Sequence, residues 1–141
     1  MKFIVLIYSD KTLIDALPEG RFDTMLHHCF EYTDELQRER HLVGSQMLAE
    51  GKTAKTLRVR NGRSTTIDGP FTETKELLAG FNIIEANDMD EALRIAAGFP
   101  WAQTGSIEVR AVQDLAEVRA GVDARVSSRA STTVAPANAG G

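Results

Sequence analysis

Phe3-Ile4-Val5-Leu6-Ile7-Tyr8 puts apolar side chains at six successive positions and ends at Ser9-Asp10. Six residues suit a strand better than a helix. Successive strand residues face opposite ways, so Phe3, Val5 and Ile7 line one face and Ile4, Leu6 and Tyr8 the other. A strand apolar on both faces must be covered on both sides. The chain therefore needs a sheet with this strand inside it, and material to cover each face.

The rest of the chain supplies two helices and several strands. Residues 21–40 read as a helix whose stripe is Phe22, Met25, Leu26, Cys29, Thr33 and Leu36. A short strand is expected at 45–48. Residues 56–60 and 63–67 flank Asn61-Gly62, the favoured two-residue type I′ turn, so Arg60 should oppose Arg63, Val59 Ser64 and Leu57 Thr66. A strand follows at 79–86. Asp88 with Glu91 three residues later starts a helix over 89–98. In that helix Met89, Ala92, Leu93 and Ala96 should point inward. The last strand, 106–112, sets Ile107, Val109 and Ala111 against Glu108 and Arg110.

This order is an α+β, ferredoxin-like plait: an antiparallel sheet with two helices on one face. Two helices leave the second face uncovered, which predicts a homodimer built by the sheets. The folded domain spans about residues 1–115. From Val122 onward the chain has no aromatic, Leu or Ile, and residues 116–141 are expected to form a disordered tail, with a short helix over 113–121 that docks Leu115 and Val118 as the alternative at its start.

Charge and composition exclude several functions. The net charge is −4, against a nucleic-acid binder that works through a general positive field. Cys29 is the single cysteine, which excludes an internal disulfide and any multi-cysteine metal site. No run approaches the ~20 apolar residues of a membrane span, and the apolar start is too short for a secretory signal, so a cytoplasmic protein is expected. Dinucleotide, P-loop, zincin and hydrolase-elbow motifs are absent, and no cofactor is implied. Lys52, Lys55, Arg58, Arg60 and Arg63 form a basic cluster that reads either as a solvated hairpin edge or as a site for an anionic ligand or partner.

Polar residues concentrate in Asp68-Gly69-Pro70-Phe71-Thr72-Glu73-Thr74-Lys75-Glu76. Asp-Gly-Pro is turn chemistry, and Asp68 is either a cap for that turn or a functional carboxylate. Of the histidines, His27 lies outside the core stripe and His41 sits near the helix end. His28, beside Tyr32 one turn on, is the candidate base, since imidazole titrates near neutrality and a carboxylate can fix its tautomer. His28 with Glu31 and Tyr32 gives too few ligands for a dedicated metal site, so none is expected. Glu108 and Arg110 either pair across an interface or line a pocket.

The nine-residue run, with Ala79-Gly80-Phe81, Asp90-Glu91-Ala92-Leu93 and Gly105-Ser106-Ile107-Glu108-Val109-Arg110, resembles the DGPF family of YCII-related proteins from Met1 to about Val112. The resemblance implies a dimeric ferredoxin-like α+β barrel with a pocket near the DGPF turn and the dimer interface. It also implies a His–Asp pair for members that are enzymes. Aligned without gaps, the family histidine falls on Cys29, next to His28. One branch has a chlorohydroquinone dehydrochlorinase-like activity, and similar members are associated with extracytoplasmic-function sigma factors. Two functions follow as expectations. One is a small-molecule enzyme or binder, with Asp68 and His28 as acid/base residues and Phe71, Glu73, Lys75 and Arg110 contacting the ligand. The other is a non-catalytic regulatory module that binds such a sigma factor.

Overall fold

The computed structural model describes residues 1–71 and 74–140. It separates into two units, Met1–Ala111 and Val112–Gly141. In the first, β1 (Lys2–Asp10), β2 (Leu42–Met47), β5 (Glu76–Glu85) and β6 (Gly105–Ala111) form a four-stranded sheet in the order β2-β5-β1-β6. Every pairing is antiparallel. With α2 (Arg21–Arg38) after β1 and α3 (Met89–Ala96) after β5, this is the ferredoxin-like plait. Between β2 and β5 the chain inserts a separate hairpin, β3 (Lys55–Arg60) and β4 (Arg63–Asp68).

The core lies on one face of the sheet. Phe3, Val5 and Ile7 of β1 and Ile84 of β5 are buried there against Met25 and Leu36 of α2 and Ala92, Ile95 and Ala96 of α3. Leu26, Cys29 and Tyr32 pack at its margin. Tyr32 donates its hydroxyl to the Ile95 carbonyl at 2.7 Å and meets Phe99 edge-on, 5.0 Å between ring centroids. That ring lies over Gly98, where a Cβ would come within 2.1 Å of it.

Several expected inward residues differ. In α3 the buried face is Ala92, Ile95 and Ala96, while Met89 and Leu93 are exposed. The helix ends at Ala96, and Phe99, Pro100 and Trp101 fill the core space expected for its last turn. In α2, Phe22 is exposed and contacts only the edge of the core, its ring 5.8 Å from that of Trp101. A five-residue helix, α1 (Lys11–Asp15), follows β1 directly; it is too short to leave a periodic signal.

The hairpin has the register its turn dictates, with Arg60 opposite Arg63, Val59 opposite Ser64 and Leu57 opposite Thr66. Asn61 and Gly62 both take positive φ, 52° and 74°, as a type I′ turn requires.

The second unit contains α4 (Leu115–Gly140), where a disordered tail was expected from residue 116. Asp114 starts it by accepting the Ala116 N–H at 2.9 Å, and its sequence is rich in alanine, a strong helix former. From Leu115 to Ala130 no residue is buried. Local propensity and capping, which need no core, account for the helix. Among the described residues no helix is long and apolar enough to cross a membrane.

Candidate functional site

Both α2 and α3 lie on the core face of the sheet, and neither covers the second face. Register puts Ile4 and Leu6 of β1 on it, opposite Ile83 and Phe81 of β5 and Arg110 and Glu108 of β6. These four apolar side chains are half-buried. Polar groups gather at one end of this face. Tyr8 donates to Glu108 Oε1 at 3.2 Å, and Ser106 donates to Glu76 Oε1 at 3.1 Å. Ser106 is the register partner of Tyr8, and Glu76 that of Asp10, so two hydrogen-bonded pairs span β5, β1 and β6 at this end. Loss of water around Tyr8, reinforced by the Glu108 hydrogen bond and charge, raises the phenol above its ordinary value and keeps it protonated.

Asp10 closes the same end. It is 4% exposed, unusual for a carboxylate, and needs partners. Its Oδ1 accepts the Thr12 N–H at 2.9 Å, capping α1, and its Oδ2 lies 3.4 Å from Lys75 Nζ. Lys75 thereby ties the segment after the DGPF turn to the end of β1.

The sequence-derived candidates are dispersed. Asp68 ends β4 with its side chain 85% exposed, and its carboxylate is paired with Lys55 across the hairpin. Phe71 is exposed too, beneath the Arg58 guanidinium, 5.0 Å from ring centroid to Cζ. Lys75 reaches Asp10, and Arg110 lies on the open face beside Glu108. Glu73 lies outside the described residues. His28 is exposed on α2, the helix that covers the opposite face of the sheet, in a depression of about 520 Å³ lined also by Glu31, Tyr32, Glu35 and Arg38. Among the described residues no hydrogen bond or ion pair joins His28 to Asp68.

Two participants were missed. Asp10 reads in sequence as the residue that ends a strand, and the signal for its second role was Thr12 two positions on, the spacing of a helix cap. Tyr8 reads as the sixth apolar residue of β1, although its hydroxyl needs a partner that Glu108 supplies. Cys29 lies among core residues, where burial pushes its thiol up and a Trp101 hydrogen bond pulls partly back. It packs against the core, and the upward shift favours the thiol over the nucleophilic thiolate. Among the described residues no three His, Cys, Asp or Glu side chains stand together as a metal site.

The model of the YCII-related domain matches residues 1–116. An uncharacterised protein of Rhizobium meliloti (strain 1021) is 33% identical over 112 residues, covering 78% of this chain and 90% of its own length. Among solved structures, the 5-chloro-2-hydroxyhydroquinone dehydrochlorinase of Burkholderia phenoliruptrix AC1100, in complex with 2,5-dihydroxybenzoquinone, is similar with a TM-score of 0.45 and 18% identity. That likeness covers 80% of this chain and 94% of the other.

Proposed function

This chain belongs to the YCII-related family, and we propose that it is a small-molecule binder or enzyme whose site lies at the polar end of the open sheet face. The observation that carries this reading is the buried Asp10 carboxylate held against Lys75, beside the Tyr8–Glu108 pair. An apolar floor of Leu6 and Phe81 with a few convergent polar groups is the composition of a ligand site. Glu108 is the acid/base group, within hydrogen-bond reach of a proton-bearing phenol, and Arg110 next to it on the strand face takes an anionic or carbonyl oxygen. A second copy of the chain, laid face to face on this one, closes the site from above and excludes water. Asp68 and Phe71 form the adjoining turn and contact the ligand from the side.

A thermal-shift screen against a broad metabolite set tests this. A ligand at about 100 times its dissociation constant adds about 2.7 kcal/mol of stability. Its shift should vanish in Glu108→Gln and shrink in Asp68→Asn. A hit whose shift survives both substitutions would contradict the site. The sigma-factor reading rests on a different observation, the exposed basic hairpin. It is separated by pull-down with a candidate sigma factor before and after reversal of Arg60 and Arg63.

A further inference from the structure

We infer that the β3–β4 hairpin is an arm that lays its Leu57–Val59 face on a second copy of this chain. The inference goes beyond the ligand site and shares with it the pairing of open sheet faces. Strand alternation gives the hairpin two unlike faces. Leu57 and Val59 share one with their partners Thr66 and Ser64, while Arg58, Arg60 and Arg63 share the other. Leu57 is 66% exposed and Val59 57%, and every residue of β4 is exposed. An alternating apolar–polar strand is the pattern of a strand half-buried against something, and a lone two-stranded hairpin is marginal in water.

The hairpin's own ladder continues past its last strand pair to its base. Gly69 donates its N–H to the Ala54 carbonyl at 2.7 Å, and Thr56 donates to the Gly69 carbonyl at 2.8 Å. Leu77 of β5 packs against Gly51 just before the hairpin. In sequence the hairpin is inserted between β2 and β5, neighbouring strands of the sheet, and β5 is the strand that carries Phe81 and Ile83.

Charge selects the occupant. Residues 51–67 hold five of the chain's sixteen cations and none of its twenty acids, which leaves the remainder of the chain at net −9. A strongly positive arm on a strongly negative body attracts the body of another copy. It repels another arm, and the body repels nucleic acid. A second copy therefore satisfies both the apolar face and the charge. In a two-fold pair each chain gives an arm and receives one.

Sedimentation equilibrium of the full chain tests the inference, with Leu57→Ser/Val59→Ser and Leu57→Asp/Val59→Asp beside wild type and Ile83→Asp. All three residues are exposed or half-exposed, and circular dichroism checks that each variant remains folded. The expected result is a wild-type dimer weakened at least tenfold by Leu57→Asp/Val59→Asp and weakened less by the serine pair. Added salt should weaken the wild-type dimer further. A dimer lost in Ile83→Asp yet within twofold of wild type in both hairpin variants would overturn the arm while leaving the paired sheets. A monomeric wild type, or a hairpin that captures a different protein while the chain stays monomeric, would overturn it as well.

Discussion

Ile83 and Ile84 are neighbours in one strand and live in different environments. Ile84 is fully buried under α2 and α3, and Ile83, one residue earlier, lies half-exposed on the face opposite those helices. The same contrast runs along β1, where Phe3, Val5 and Ile7 are buried and Ile4, Leu6 and Tyr8 are not. Both faces are apolar at their centre, so hydrophobicity alone does not distinguish them. What distinguishes them is the rim: the covered face is closed by helices, and the open face is edged by Tyr8, Glu108, Arg110, Ser106 and Glu76. An apolar centre with a polar rim is the composition that the proposed pairing of two copies would bury.

Substitutions one residue apart should divide along this line. Ile84→Ala, which opens a cavity in a closed core, should cost about 3 kcal/mol in denaturant unfolding at fixed protein concentration. Ile83→Asp should leave the secondary structure intact and weaken self-association at least tenfold, about 1.4 kcal/mol. If the two changes prove equally damaging to the fold, the faces do not differ in the way described here. Tyr8→Phe removes one half-exposed hydrogen bond and should cost about 1 kcal/mol or less, while abolishing the stabilisation given by a ligand that binds beside Glu108.

The smallest effect is electrostatic. Tyr8, Cys29 and Tyr32 all have raised pKa values, burial being the largest cause in each. The unfolded chain therefore loses these protons first, and stability present below the ordinary thiol and phenol values of 9.0 and 10.0 falls as pH climbs past them. Thermal melts at neutral and alkaline pH should show this decline. Stability that rises over that range would contradict the burial of these groups.

Much of the fold was legible because local chemistry and global topology agree in it. Asn61-Gly62 admits one tight turn, and the turn sets the register of ten flanking residues without reference to the rest of the chain. The both-faces-apolar β1 could only be an interior strand. Helix α3 was less legible: Met89, Leu93 and Ile95 are all apolar within eight residues, and periodicity alone does not say which side the sheet occupies. Register and packing choose Ile95. The site was the least legible part, since its members come from three strands and meet only through the pairing of Asp10 with Glu76 and of Tyr8 with Ser106. His28 and Asp68 were conspicuous by residue type, yet α2 and the hairpin carry them on separate elements with no hydrogen bond or ion pair between them. Nothing in linear spacing reports that separation.

Sedimentation equilibrium of the full chain at micromolar concentration, compared with Ile83→Asp, tests most directly whether the open face is covered by a second copy. The account predicts a wild-type mass twice the 15.4 kDa of one chain and a shift toward that single-chain mass in the variant. A wild-type chain that stays at 15.4 kDa would contradict it.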